Sequence, residues 1–175
     1  MKKTKVIIIV IVVLFLVIIL SEFIFEKIEY SQYEKKDKEA LKNIIVKVPK
    51  KFKKHTYSNS IDYYLYDNKT SCDLSINVNR DSYKHYEDGK DYLEESTYIT
   101  LKDKVSEIKE IEINNYKWHY LIIEKNGYLS YRYATIKENT IYGIEYRIND
   151  YTNGEDINNY CASIKDEIIS SIKLK

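Results

Sequence analysis

Three histidines, two cysteines and a single tryptophan are the residues of this 175-residue chain best able to do chemistry. The histidines are His55, His85 and His119, and none has the H-x-x-x-H or C-x-x-C partner that a zinc site needs. The densest polar constellation is Asp81, Ser82, His85, Glu87 and Asp88. Its oxygens and imidazole are of the types that hold a divalent cation. It lacks the alternating oxygen spacing and central glycine of an EF-hand loop, so it reads as a polar loop before a helix. The sequence has no glycine-rich phosphate loop and no G-x-S-x-G nucleophile turn. No catalytic residue, metal or cofactor is nominated, and the expectation is a non-enzymatic chain.

Cys72 and Cys161 sit in two independent patterns that both turn them inward. Cys72, Leu74, Ile76 and Val78 alternate with Asp73, Ser75, Asn77 and Asn79, the signature of a half-buried strand. Ile157, Cys161, Ile164, Ile168 and Ile172 recur at helical spacing and form one apolar stripe. An even cysteine count outside the membrane predicts a disulfide, worth up to about 4 kcal/mol for so long a loop. The alternative is two buried thiols acting as small hydrophobes.

Two surface candidates remain. Lys50, Lys51, Lys53 and Lys54 surround Phe52 and could touch anionic lipid headgroups or wall polymers, at about 1 kcal/mol per cation near the surface. A solvated loop is the plainer reading of the same residues. Trp118 and His119 form a partner contact if exposed. The alternation of Trp118, Tyr120 and Ile122 instead favours a place in the core.

The elements that must position these residues follow in order. Ile44 to Val48 is β-rich and ends at Pro49, and Ile61 to Tyr66 and Cys72 to Val78 read as strands joined by the turn Asp67 to Thr70. Asp88, with Asp91 three residues on, caps a helix expected from Gly89 to about Lys102. Four strands come next: Lys104 to Ile113, Tyr116 to Glu124, Tyr128 to Ile136 and Thr140 to Asn149. Asn114-Asn115 and Asn126-Gly127 suit two-residue type I′ turns, and Lys137 to Asn139 makes the last turn. Thr152 and Glu155 have capping-box spacing at the head of the final helix. The fold class is α+β: an antiparallel sheet of about six to seven strands flanked by helices.

Everything follows an unbroken apolar run, Val6 to Leu20, preceded by Lys2, Lys3 and Lys5 and extended to Phe25 with only Ser21 and Glu22 interposed. To Phe25 it has about the 20 residues a membrane span needs. The lysines keep the N-terminus inside, and no small-residue cleavage site follows, so an uncleaved signal anchor is expected over a cleaved signal and a secreted product. The expected organisation is 1–5 cytoplasmic, 6–25 transmembrane, 26–43 a helical stalk and 44–175 an extracytoplasmic domain. The stalk shows no heptad pattern and predicts no coiled-coil dimer. Without Lys2, Lys3, Lys5 and Glu22 the remainder carries 25 Lys+Arg against 26 Asp+Glu, so no net field attracts nucleic acid. The 19 tyrosines, with abundant Lys, Ile and Asn, fit an AT-rich coding sequence and a bacterial cell surface.

From about Ile44 to Leu174 the chain resembles the PsbP-like family in the order of VPKKFK, INNYKWHYL, YRYATIKENTIYGIEY and a terminal IISSIKLK that closes the last helix. The resemblance implies an antiparallel sheet packed between helices. Proteins with that fold include a photosystem extrinsic subunit and a Ran-binding protein, so it implies no single activity. The functional expectation is a membrane-anchored, non-catalytic domain binding a protein or cell-envelope component. A small-ligand or lipid carrier with a pocket between sheet and helix is the alternative, and an enzyme comes third.

Overall fold

The structure, a computed structural model, describes residues 2–66, 71–80, 86–96, 104–125, 127–149 and 155–175. The expected turn at 67–70, the residues Asp81, Ser82, His85, Asn126 and Thr152, and the end of the helix expected to reach Lys102 lie outside them.

Helix α1 runs without a break from Lys2 to Leu41, in keeping with a sequence free of Gly and Pro over that length. The large apolar side chains described between Leu14 and Phe25 are 49–71% exposed. Among the described residues no helix is long and apolar enough to cross a membrane. Met1–Lys36 forms one unit and Asp37–Lys175 a second. The second unit thus begins inside the expected stalk, because Ala40 and Leu41 on the last turn of α1 are core residues.

In that second unit the described strands are β1 (Ile44–Ile45), β2 (Lys53–Thr56), β3 (Ser60–Tyr66), β4 (Ser71–Asn79), β5 (Lys104–Val105), β6 (Lys109–Ile113), β7 (Tyr116–Lys125), β8 (Tyr128–Lys137), β9 (Thr140–Asn149) and β10 (Lys173–Leu174). Helices α2 (Gly89–Ser96) and α3 (Glu155–Ser170) complete it. The main sheet has the order β2-β3-β4-β9-β8-β7-β5, with β6 also on β7, and every pairing is antiparallel. The expected α+β class holds, with eight strands in this sheet.

Local chemistry explains the joints. Asn114 and Asn115 have φ of 49° and 66°, the two left-handed residues of a type I′ turn, and Glu138 and Asn139 repeat this at 51° and 57°. Asp88 Oδ1 accepts from the backbone N–H of Lys90 at 2.8 Å and of Asp91 at 3.2 Å, capping α2 as expected. At the other end, the hydroxyls of Ser170 and Ser171 donate back to the carbonyls of Glu167 and Ile168. Such bonds compete with the helical ladder. This is where α3 stops.

Three sequence expectations need correction here. Ile172 and the terminal KLK lie beyond α3, not within it: β10 pairs with β1, and Asn43 O accepts from Lys175 N at 2.8 Å. Lys53–Thr56 is a strand, not a loop, held to β3 by register and by a Tyr57 N–H bond to Ser60 O. Its lysines suit an edge strand, where charge discourages further pairing. The strand expected over Lys104 to Ile113 is split, because three residues oppose two between the pairs Val105–Ile123 and Lys109–Tyr120. That extra residue is a bulge, and the Ser106 Oγ accepts from Ile122 N–H beside it.

The sheet buries apolar side chains on both faces. On one face Leu74, Ile76, Ile144, Tyr146 and Trp118 pack with Ile164 and Ile168 of α3. On the other, Leu93 of α2 packs with Leu121, Ile123 and Ala134 in a smaller cluster flanked by Tyr92, Val105 and Ile108. Gly89 permits that contact, since a Cβ there would stand 2.2 Å from the Ala134 carbonyl oxygen. Cys72 and Cys161 are joined by a disulfide with Cα atoms 6.1 Å apart, linking β4 to α3 on the first face. Beside it the buried Tyr146 hydroxyl donates to Cys161 O at 2.8 Å.

Candidate functional site

The half of the second face that α2 leaves uncovered is polar. Strand alternation puts there every residue of β4 that does not face α3, and antiparallel register aligns these with their neighbours. One rung reads His55, Asp62, Ser75, Glu145 and Arg132 across β2, β3, β4, β9 and β8. The next reads Lys53, Tyr64, Asp73, Arg147 and Ser130. Two adjoining cavities open over these rungs. The larger, about 360 Å³, lies between the His55–Tyr57 segment and Arg147; the smaller, about 170 Å³, lies against Tyr92 and Ser96 of α2, and both are lined by Glu145.

Glu145 is the hub. Its Oε1 accepts from Ser130 Oγ at 2.7 Å, Arg147 at 3.1 Å and Arg132 Nε at 3.4 Å. Burial opposes ionisation of this carboxyl, but the Ser130 hydroxyl and the two guanidinium groups outweigh it and hold Glu145 below the usual carboxylate range. Asp73 goes the other way: burial pushes its carboxyl up, and the attraction of Arg147 and the hydrogen bond from Asn149 Nδ2, at 3.2 Å, do not cancel it. Asp62 Oδ1 accepts from Ser75 Oγ at 2.7 Å. Arg147 lies over the Tyr128 ring at 5.3 Å, and its buried Nε–H has no acceptor among the described residues.

Aromatic rings wall one end. His55 stacks on Tyr64 at 5.5 Å and on Tyr57 at 6.3 Å, with interplanar angles of 18° and 26°. Tyr57, at the end of this row, is 55% exposed. Such a site offers donors, acceptors and ring surface. No family model matches this chain. No curated protein is similar to it. Among solved structures, one similar chain is a protein from Bacteroides thetaiotaomicron VPI-5482, with a TM-score of 0.46 and 14% identity over 76% of this chain. The likeness spans 45% of that protein's length.

The sequence candidates fall elsewhere. Lys50, Lys51, Lys53 and Lys54 are all exposed, but they do not make one patch. Lys53 and Lys54 are neighbours on β2 and point to opposite faces, while Lys51 and Lys54 lie over the rings of Tyr160 and Tyr63 at 5.3 and 5.7 Å. Trp118 is 1% exposed and His119 7%, which removes both as surface contacts. Trp118 belongs to the core under α3. His119, on the opposite face, has its Nε2 3.7 Å from Asp88 at the start of α2 and 3.8 Å from Glu110. Among the described residues no group of His, Cys, Asp and Glu has the arrangement to hold a metal.

The cleft itself was not nominated from the sequence. Its signal lay in two alternations read separately, Asp73-Ser75-Asn77 opposite the core side of β4 and Glu145-Arg147 opposite the Ile144-Tyr146-Ile148 side of β9. Pairing those strands sets Asp73 against Arg147 and Ser75 against Glu145.

Proposed function

We propose that this chain is a membrane-anchored, extracytoplasmic domain of PsbP-like architecture that binds a cell-envelope component in the polar cleft without transforming it. The observation that carries the binding reading is the cleft: ionisable groups converge on one sheet face, yet they are committed to one another. Glu145 takes three donors, Asp62 takes Ser75 and Asp73 takes Asn149. Such a network orients a ligand, and the carboxylates that accept from Ser75 and Ser130 hold those hydroxyls within the sheet face rather than aim them at a bound chain. The anchoring half is supported by the Val6 to Phe25 run and by the disulfide, a bond that persists in oxidising compartments.

The carrier alternative has one observation in its favour, since about 360 Å³ is within the range of small-ligand sites. Against it, that space is lined mainly by polar side chains, while the interface of α3 with the sheet is filled by close-packed Ile, Leu and Tyr. A lipid would find little apolar surface in the cleft.

Two measurements test the proposal. In intact cells of the source, protease added outside should remove the folded domain, and the chain should stay in the membrane fraction at its translated size. Loss of about 20 residues on export would replace the anchor with a cleaved signal. Incubation of the purified full-length chain with isolated envelope should give retention without chemical change. Turnover of any envelope component would overturn the non-catalytic reading. The lysines have a separate test: if Lys50, Lys51, Lys53 and Lys54 meet an anionic surface, replacing them with Gln lowers binding to anionic vesicles.

A further inference from the structure

The make-up of the cleft narrows the ligand. We infer that it takes a neutral, polyhydroxylated chain, an oligosaccharide segment, laid across the strands from the His55–Tyr57 row towards α2; this rests on the binding reading above.

Charge comes first. On this face Asp62, Asp73 and Glu145 are matched in number by Lys53, Arg132 and Arg147; Glu145 is ion-paired with both arginines, and Asp73 stands opposite Arg147 in register. A balanced face gives no long-range field to draw in a polyanion or a polycation. Guanidinium groups that donate, set beside carboxylates that accept, suit hydroxyls, which do both. Arg147 also keeps a donor at Nε that no described residue uses, so a ligand oxygen that draws the guanidinium outward gains a bond the described residues do not supply.

Ring geometry comes second. Sugar rings carry apolar C–H faces between their hydroxyls, and an amphipathic aromatic suits them because it joins apolar area to a polar tip. The row Tyr57, His55, Tyr64 stands beside the carboxylates, with Tyr57 more than half exposed. Extent comes third. The two cavities meet at Glu145, and the rungs cross five strands, which at about 4.8 Å per step span roughly 19 Å. That length fits several sugar rings in a row and exceeds a single one.

The test is calorimetric titration of the full-length chain in detergent micelles with neutral hexasaccharides of glucose, galactose, mannose and N-acetylglucosamine, alongside polyphosphate, polylysine and isolated envelope. At least one hexasaccharide should bind, its disaccharide should bind at least about tenfold more weakly, and Tyr57→Ala should weaken the hexasaccharide about tenfold through loss of one stacked ring. Folding of that variant is checked by unchanged Trp118 emission. Arg147→Lys, which keeps the charge but not the planar donor set, should weaken it as well. Envelope binding with no hexasaccharide bound overturns the oligosaccharide assignment and leaves the binding reading standing. Tighter binding of polyphosphate or polylysine overturns it in the same way. Hexasaccharide binding indifferent to Tyr57→Ala and Arg147→Lys overturns the location, and failure to bind envelope at all overturns both readings.

Discussion

Reducing the Cys72–Cys161 disulfide should strip much of the stability from the folded unit. The two residues are 89 apart in sequence, so the bridge closes a loop through most of the sheet. In the chain-entropy description a loop of that length restricts the unfolded chain by about 4–5 kcal/mol at 25 °C. A domain of this size is stable by roughly 5–15 kcal/mol in total, so the bridge is about a quarter of the margin or more. Both cysteines are fully buried, and reduction in place changes only the cross-link, whereas substitution also empties space. The assay is urea unfolding followed by Trp118 fluorescence, with and without a phosphine reductant. Trp118 is the only tryptophan and lies in the core, so it reports the whole transition. With a slope of about 2 kcal/mol per molar urea, the midpoint should fall by about 2 M. A reduced midpoint within about 0.5 M of the oxidised one would refute the reasoning, since the bridge would then contribute under about 1 kcal/mol. Control variants with both cysteines replaced by Ala should unfold earlier still.

Other perturbations separate the cleft's two unlike carboxylates and the two close glycine contacts. Glu145→Gln should destabilise by about 2 kcal/mol at pH 7, because it weakens charge-assisted bonds from Ser130, Arg132 and Arg147. Because the Glu145 carboxyl is held below its ordinary 4.5, this contribution is complete above that pH and is lost as the pH falls through the lowered value, so the gap between the unfolding curves of the variant and the parent should close progressively below pH 4.5. Asp73→Asn should do the reverse: burial raises that carboxyl above its ordinary 3.8, the ionised form costs stability as the pH rises past it, and the variant should gain on the parent between acid and neutral pH. A variant that gains nothing there would show that Arg147 and Asn149 compensate the burial. Gly89→Ala meets the Ala134 backbone and should lower the midpoint by the equivalent of about 2 kcal/mol, while Gly143→Ala meets only the Asn77 side chain, at 2.3 Å, and should cost less. Replacing Asn77 with Ala should relieve the second clash and leave the first untouched.

Patterns within one segment were legible in the sequence. The alternation at Cys72 to Val78, the stripe through Cys161 and Ile168, the Asn114-Asn115 turn and the Asp88 cap each depend on residues a few positions apart. What escaped depends on partners far along the chain. Lys53 to Thr56 has no apolar pattern and becomes a strand only by pairing with β3. Ile172 and Leu174 look like the end of an apolar helix until β1 draws them into a two-stranded ladder. His119 looks like a surface residue of an alternating strand, but α2 closes over that face as well. The cleft is the clearest case, because its rungs draw on β2, β3, β4, β8 and β9 and exist only once the register of all five is set.

The small ladder of β1 and β10 also determines how the folded unit bears a pull. Tension arriving along α1 enters at Asn43, whose carbonyl already holds the Lys175 N–H, so the load is shared at once between the two ends of the unit. From β10 it runs into α3 and through the disulfide to β4, under the cleft, bypassing the β2–β3 hairpin with its row of Tyr57, His55 and Tyr64. Were the ladder to tear, the 89-residue separation closed by the disulfide could not pay out, withholding roughly 300 Å of chain that an uncrosslinked unit would release. The part of the cleft built on β4, β8 and β9 would therefore stay on an inextensible frame, while the residues from β2 and β3 lie outside the closed loop.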